Sequence, residues 1–172
     1  MKILGLDSSG IVASVAIVED ENLIAEYTVN YKKTHSQTLL PMLDELVKMT
    51  ELDLDTIDAI AVAAGPGSFT GLRIGSATAK GLGLALKKPL VEIPTVDALA
   101  YNLYDSRALI CPIMDARRSQ VYTGIYRFQE HKLVTVEAQM AVPMAEMIEK
   151  LNARGEEVVF LGDGVPVFGK MI

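Results

Sequence analysis

Cysteine and histidine are scarce in this chain of 172 residues, which has one cysteine, Cys111, and two histidines. A single cysteine excludes an intrachain disulfide framework and a zinc site built from several cysteines, and it favours a cytosolic protein. His35 and His131 lie far apart in the sequence, and no His-x-x-x-His pair occurs. The sequence therefore predicts no metal-ligating cluster and no catalytic triad. Cys111 lies in an apolar run and is predicted to be a core residue.

Basic residues are fewer than acidic ones, and long apolar runs are absent from the sequence. Sixteen Lys and Arg stand against 22 Asp and Glu, which gives a net charge of −6. Nucleic acids and anionic membranes need a basic face, so strong binding of either by this chain alone is not expected. No apolar run reaches the roughly 20 residues needed to span a bilayer, and the opening residues are predicted to be a strand rather than a signal peptide. The sequence predicts a cytoplasmic protein with a sizeable core.

Apolar runs and helical spacings alternate along the first half of the chain. Five short runs are predicted to be strands: Lys2–Leu6, Val12–Val18, Asn22–Val29, Ile57–Ala64 and Pro89–Pro94. Three stretches are predicted to be helices: one from a cap at Thr34 or Ser36 to Met49, then Leu72–Leu86 and Thr95–Tyr104. Strands and helices in alternation predict an α/β fold with a mixed sheet.

The second half of the chain repeats part of this pattern. Its predicted strands are 107–114, 121–126, 132–136 and 157–161, and its predicted helix is 144–153. A shift of 108 residues places Asp7 on Asp115 and Ile17 on Ile125. The repeat predicts two related lobes, 1–104 and 105–172. The alternative is that two unrelated β-meanders share the same pattern.

The last predicted strand enters the turn Gly162-Asp163-Gly164. A strand that runs into such a turn ordinarily leads to another helix, but few residues follow here. We therefore expect the second lobe to be incomplete at its C-terminal end.

Two turns carry residue types that bind anions. Asp7-Ser8-Ser9-Gly10 follows the first strand, and Gly65-Pro66-Gly67-Ser68-Phe69-Thr70-Gly71 leads into a predicted helix. Free amides at a hairpin turn or at a helix N-terminus can hold a phosphate. The candidate nucleotide-binding or anion-binding residues are Asp7, Ser8, Ser9, Gly65, Gly67, Ser68 and Thr70. The alternative is that these side chains satisfy their own backbone, with Ser68 or Thr70 as a helix cap.

A third turn, Asp115-Ala116-Arg117-Arg118, occupies the matching place in the second half. An Asp and an Arg on a turn can contact a nucleotide, so Asp115 and Arg117 join the candidate nucleotide-binding residues. The alternative is a structural ion pair between the two side chains.

Small residues stack on one side of the second predicted helix. Gly71, Gly75 and Ala79 lie four residues apart, and each helical glycine costs about 1 kcal/mol relative to alanine. Close approach of another element would compensate this cost, so we expect an apolar surface shared with the first helix. The predicted interface residues are His35, Leu39, Leu40, Leu43, Leu46, Gly71, Leu72, Gly75, Thr78, Ala79 and Leu82. The alternative is packing against the chain's own sheet.

Several segments together resemble a known family. They are Ile3–Ser9, His35–Pro41, Ala64–Gly75, and Asp115–Arg117 with Val121-Tyr122. Over essentially its whole length the chain resembles the bacterial TsaB (YeaZ) family, the non-catalytic subunit in threonylcarbamoyladenosine modification of tRNA. The resemblance implies the actin-like ATPase (ribonuclease-H-like) fold, with two duplicated lobes of mixed sheets flanked by helices.

The resemblance also implies partners and cofactors. The catalytic paralogue, TsaD, transfers threonylcarbamoyl onto an adenosine beside the tRNA anticodon and holds a metal with a histidine pair. The matching positions here are Thr95 and Leu99, so neither a metal site nor a catalytic residue is expected. The family's subunit is thought to bind TsaD through the first two helices, to join the P-loop ATPase TsaE in the assembled complex, and to form a homodimer when alone. The resemblance implies that the chain itself requires no cofactor and that the assembled complex can bind ATP or ADP. Gln120 departs from the glutamate that is frequent in the family, which argues against a charged role at that position.

The residues and the resemblance leave three candidate functions. The leading hypothesis is a scaffold or activating subunit that has no catalysis of its own. The alternative is a phosphotransferase or ATPase that uses Asp7, Asp115 and the Gly-Pro-Gly turn with magnesium and a nucleotide. A metallopeptidase-like protein is disfavoured, because the sequence offers no metal-ligand cluster.

Overall fold

The computed structural model describes residues 1–31 and 35–172. These residues form two compact units, unit 1 (Met1–Pro94) and unit 2 (Thr95–Ile172). Within the described ranges, no helix has both the length and the apolar character that a membrane span requires.

Unit 1 is built from strands and two long helices. The strands are β1 (Lys2–Asp7), β2 (Ala13–Glu19), β3 (Asn22–Val29), β4 (Ala59–Gly65) and β5 (Leu90–Pro94). The helices are α1 (His35–Thr50) and α2 (Phe69–Leu86), and a short 3-10 turn covers Leu54–Thr56. Thr34, one of the two predicted caps of α1, lies outside the described residues, whereas Ser36 lies within the first turn of the helix.

The sheet of unit 1 has the strand order β3-β2-β1-β4-β5. The first three strands form an antiparallel meander, and β4 and β5 extend it in parallel. Alternate residues of β1 and β2 point into the core, so that Leu4, Val15 and Ile17 are fully buried. α1 packs on β2 and β3, and α2 packs on β4. Because β1 and β4 are adjacent and parallel, the turns that follow them lie side by side.

Unit 2 contains a second mixed sheet. Its strands are β6 (Leu109–Asp115), β7 (Gln120–Gln129), β8 (Lys132–Pro143) and β9 (Val158–Leu161). Its helices are α3 (Thr95–Ala100), α4 (Met144–Arg154) and α5 (Val165–Phe168), with a 3-10 turn at Tyr101–Leu103. Val96 and Ala100 of α3 are buried in one cluster with Ile110 and Tyr126 of the sheet, and α3 therefore belongs to unit 2.

The two sheets repeat one arrangement. The order β8-β7-β6-β9 in unit 2 matches β3-β2-β1-β4 in unit 1, with an antiparallel meander followed by a parallel strand in both. The predicted fold class is confirmed: two α/β arrangements with mixed sheets flanked by helices. The division falls between Pro94 and Thr95, earlier in the chain than the predicted lobe boundary at residue 104.

Both α2 and β8 extend beyond their predicted bounds. α2 begins at Phe69 rather than at Leu72, because Ser68 caps it by accepting a hydrogen bond from the Gly71 amide. β8 continues to Pro143 rather than ending at Val136, because its pairing with β7 runs to Pro143 itself, which lies opposite Gln120. The alternation of apolar residues in β8 is weak beyond Val136. The length of β8 is therefore determined by its pairing with β7 rather than by its own sequence pattern.

Candidate functional site

The first predicted turn is packed against the start of α2. Asp7 ends β1, and its Oδ1 accepts a hydrogen bond of 2.7 Å from the amide of Ser9. Ser8 and Ser9 are only 2% and 3% exposed. The Ser8 hydroxyl donates a hydrogen bond of 2.9 Å to the carbonyl oxygen of Gly71. Both serines therefore face the protein interior rather than an open site.

The glycine-rich turn after β4 is held by the same serines. The amide of Ser68 donates a hydrogen bond of 2.6 Å to the carbonyl oxygen of Ser9. A Cβ added at Gly67 would fall on the Ser9 carbonyl oxygen, and one added at Gly71 would fall on the Ser8 carbonyl oxygen. Close backbone approach thus explains why these positions are glycine. The Gly65–Gly71 turn and the Asp7–Gly10 turn form one packed cluster, which we call the serine–glycine cluster.

The start of α1 also contacts this cluster. His35 Nε2 lies 2.8 Å from the carbonyl oxygen of Gly10, and its Cδ2 lies 3.3 Å from the position that a Cβ at Gly71 would occupy. Gly75 completes the contact, because a Cβ added there would lie 2.5 Å from the Ser8 hydroxyl oxygen. The cluster therefore connects β1, α1 and α2.

Unit 2 carries the same local turn at the matching place. Asp115 ends β6, and its Oδ1 accepts a hydrogen bond of 2.9 Å from the amide of Arg117, just as Asp7 accepts one from Ser9. Arg117 Nη1 also lies 3.3 Å from Asp115 Oδ2, although the arginine side chain is 86% exposed. The Asp115 amide donates a hydrogen bond of 3.1 Å to Asp163 Oδ1. The predicted Asp–Arg ion pair is thus present on this turn.

Other candidate chemistry is limited. Cys111 is fully buried beside the Thr123 hydroxyl, and burial raises the pKa of its thiol to about 11, so it is a poor nucleophile near neutral pH. Within residues 1–31 and 35–172, no group of three or more His, Cys, Asp or Glu side chains is placed to hold a metal ion.

Most of the predicted interface residues contribute to packing within unit 1 instead. Leu39, Leu43, Leu46 and Ala79 are 0 to 4% exposed and belong to its hydrophobic core, and Leu82 packs partly buried against that core. These four side chains therefore lie in the core of unit 1. The physical reason is that α1 and α2 present these side chains to the sheet. At Gly71 and Gly75, atoms of Ser8 occupy the space that a side chain would need.

The remaining predicted interface residues lie elsewhere on the two helices. Leu40 is 51% exposed on the outer side of α1. Thr78 is half-buried on α2. Leu72 lines a cleft between α2 and the β4–β5 edge of the sheet, and His35 is half-buried against Gly10.

Sequence reasoning missed the exposed apolar residues of α2. Leu84 is 83% exposed and Phe69 is 69% exposed, and Ala77, Gly81 and Ala85 of the same helix are exposed as well. Once the buried stripe is known to be Gly71, Gly75, Ala79 and Gly83, helical periodicity places Leu84 and Gly81 on the opposite side. The predicted interface instead follows the stripe of small residues, which is the buried side of α2.

The comparisons with known proteins agree with this architecture. The family model described as TsaD, tRNA N6-adenosine threonylcarbamoyltransferase, matches residues 22–171. The chain is 36% identical over its full length to a Bacillus subtilis protein named tRNA threonylcarbamoyladenosine biosynthesis protein TsaB, and it spans 75% of that protein. An Escherichia coli protein of the same name is 30% identical over 95% of the chain, which covers 72% of that relative.

A solved structure gives the same result. The chain superimposes on YeaZ from Pseudomonas aeruginosa with a TM-score of 0.75 and 31% identity, over 83% of the chain and 66% of the Pseudomonas protein. The two mixed sheets, together with the match of residues 22–171 to the TsaD family model, define a protein of the TsaD-related α/β class. Within that class, the chain belongs to the TsaB (YeaZ) family of tRNA threonylcarbamoyladenosine biosynthesis proteins.

Proposed function

We propose that the chain is a non-catalytic subunit in threonylcarbamoyladenosine modification of tRNA and acts by binding its catalytic paralogue, TsaD. The binding surface is the outer side of α1 and α2, and the same surface forms a homodimer when the chain is alone. TsaE joins the assembled complex, and ATP or ADP is bound there rather than required by this chain. The observation that carries the proposal is the open space beside Gly81, a glycine in the interior of α2.

Gly81 lies in the interior of α2, and none of the described residues makes a contact there that explains a glycine. A Cβ added there would meet nothing within 4 Å, whereas a Cβ at Gly71, Gly75 or Gly83 would collide with atoms of the chain itself. A glycine in a helix interior costs about 1 kcal/mol relative to alanine. Close approach of a second helix at Gly81 would compensate this cost, because a missing side chain lets two backbones come together.

The surroundings of Gly81 support a protein interface. Ile74, Thr78 and Ala85 lie on the same side of α2, at helical spacing from Gly81. Leu84 adjoins them, and Leu40 projects from the outer side of α1. None of these side chains is charged, although the outer side of a helix in a globular protein is normally polar. An exposed apolar surface of this kind marks an interaction site.

The serine–glycine cluster supports a scaffold rather than a nucleotide-binding enzyme. The Ser68 amide and both serines make contacts within the protein, so these groups are already satisfied without a phosphate. Steady ATP hydrolysis by the purified chain, lost in Asp7→Ala, would favour the alternative of a phosphotransferase or ATPase.

The test is the effect of a bulky charge at Gly81 on complex formation. Gly81→Arg has room within unit 1 but would place an unpaired charge between the two proteins. We expect it to weaken association with TsaD by at least about tenfold. Light scattering of the mixture gives the mass of the complex, and the reconstituted tRNA modification reaction gives the activity.

The matched control is Ala145→Arg, at an exposed alanine on α4 of unit 2. It adds the same charge to another helix surface and is expected to leave association unchanged. Equal association of Gly81→Arg and the unsubstituted chain with TsaD would contradict the proposed surface.

A further inference from the structure

We propose that the outer edge of β5, together with the cleft between β5 and α2, binds an extended acidic segment of a partner protein by strand addition. This site goes beyond the proposed function. It lies on the flank of α2 that faces β5, whereas Gly81 and Thr78 lie on a different side of the helix.

β5 is the last strand of its sheet and, among the strands that the structure describes, pairs with β4 alone. Its side chains remain accessible on both faces, with Leu90 38% and Val91 42% exposed. The outer edge of such a strand presents main-chain N–H and C=O groups that a further strand can pair with. Pro89 precedes the strand and Pro94 is its last residue, so the usable edge is short and suits a short peptide segment.

A cleft of about 460 Å³ lies beside this edge. Val62 and Leu72 give it an apolar floor, and Glu92 of β5 reaches it from the sheet. Arg73 and Lys80 line it from α2. Because side chains alternate along a strand, every second residue of an added strand would face this cleft. The others would lie beside Val91 on the opposite face of the sheet.

The two cations of the cleft lack a carboxylate partner. Within the described part of the chain, neither Arg73 nor Lys80 makes a salt bridge, and Glu92 makes none either. The Arg73 guanidinium is instead held over the ring of Phe69, 3.9 Å from its centre. α2 carries no acidic residue at all, in a chain whose net charge is −6. An acidic segment is the partner whose charge complements this flank.

A polypeptide is favoured over a nucleic acid for two reasons. Only another peptide backbone can continue the hydrogen-bond ladder of β5. Binding to a phosphate backbone needs a longer track of cations, and its affinity depends on neutralising many phosphates. The partner segment is therefore expected to alternate acidic residues, which face Arg73 and Lys80, with apolar residues, which lie beside Val91.

The test measures fluorescence anisotropy of a fluorescein-labelled pentapeptide of alternating glutamate and valine on the full chain. Arg73→Gln and Lys80→Gln are each expected to weaken binding by about fivefold or more. Glu92→Gln is expected to tighten binding, because it removes a like charge from the cleft. Lys87→Gln is the matched control, since Lys87 is exposed at the end of α2 and does not line the cleft.

Three further probes separate the alternatives. A lysine–valine pentapeptide and a glutamate–valine pentapeptide with methylated backbone amides should both bind weakly, because the first has the wrong charge and the second cannot pair with a strand. Gly81→Arg should bind the labelled peptide normally, which separates this site from the proposed TsaD surface. Equal binding of the methylated peptide, no response to Glu92→Gln, or tighter binding of an oligouridylate would overturn the proposal.

Discussion

The hydroxyl of Ser8 donates a hydrogen bond of 2.9 Å to the carbonyl oxygen of Gly71, although the two residues are 63 positions apart in the sequence. Ser8 follows β1, and Gly71 lies in the first turn of α2. The same hydroxyl oxygen occupies the space that a side chain at Gly75 would need. One small polar residue therefore determines how closely α2 approaches the sheet.

Ser8 and Gly75 are predicted to be energetically coupled. Ser8→Ala removes one of two donors to the Gly71 carbonyl, the other being the helical amide of Gly75, and should lower the free energy of unfolding by about 0.5 to 1.5 kcal/mol. Gly75→Ala should be destabilising alone, since its Cβ would lie 2.5 Å from the Ser8 hydroxyl oxygen. In the Ser8→Ala background this clash is absent, and the gain in helix propensity of about 1 kcal/mol should appear. Urea unfolding of the four proteins measures the coupling.

Additive effects of the two substitutions would show that Ser8 does not set the approach of α2. A destabilising Gly75→Ala in both backgrounds would instead point to a collision with the sheet. Val62 Cγ2 is the next neighbour of the added Cβ, at 3.7 Å, which is an ordinary contact distance.

The sequence predicts the fold more fully than it predicts the interface. Strand alternation in β1 and β2 and the shift that places Asp7 on Asp115 correctly predict the two related sheets. The spacing of Gly71, Gly75 and Ala79 predicts that another element approaches α2 closely, but it does not predict which element. Small residues on a helix allow close packing either against a turn of the same sheet or against a second protein. The structure supplies the partner, Ser8, and leaves Gly81 as the glycine of α2 that no described residue approaches closely.

A buried hydroxyl in unit 2 is predicted to contribute to stability. Tyr126 is fully buried, and its hydroxyl donates a hydrogen bond of 2.6 Å to Asp97 Oδ1. Burial, together with this carboxylate, raises the pKa of the tyrosine. Tyr126→Phe leaves Asp97 without its donor and should lower the free energy of unfolding by about 1 to 2 kcal/mol. Urea unfolding followed by circular dichroism measures the change.

Tyr101→Phe is the matched control, because Tyr101 is 54% exposed and contacts Phe128 through its ring. It should leave the unfolding free energy nearly unchanged. A cost for Tyr126→Phe no larger than that of the control would contradict the role given to the buried hydroxyl.

Glu137 is predicted to make the free energy of unfolding of unit 2 depend on pH. Its carboxylate accepts hydrogen bonds from Arg154 at 2.6 Å and Lys150 at 3.4 Å, and the bond from Arg154 is the main cause that lowers its pKa. A pKa lowered by folding stabilises the protein above the unfolded value of about 4.3. This contribution is lost as the pH falls through the lower folded pKa.

Glu137→Gln should therefore lower the free energy of unfolding by about 0.5 to 1 kcal/mol at neutral pH, and by less in acid. Urea unfolding across this pH range measures the difference. Glu149→Gln, at an exposed residue of α4, is the control and should show no such trend. A Glu137→Gln difference that stays constant as the pH falls would rule out the ion pair as its cause.

The outer side of α2 is tested most directly by adding one methyl group at Gly81. Gly81→Ala should raise the free energy of unfolding of the monomer by up to about 1 kcal/mol, since the new Cβ has open space within the chain. The same methyl group should weaken association with TsaD, because overpacking at a close contact costs about 1 to 3 kcal/mol. Unfolding in urea and titration of the two proteins give both quantities. A more stable chain that binds TsaD less tightly is the predicted result, and a more stable chain that binds TsaD equally well would contradict the proposed interface.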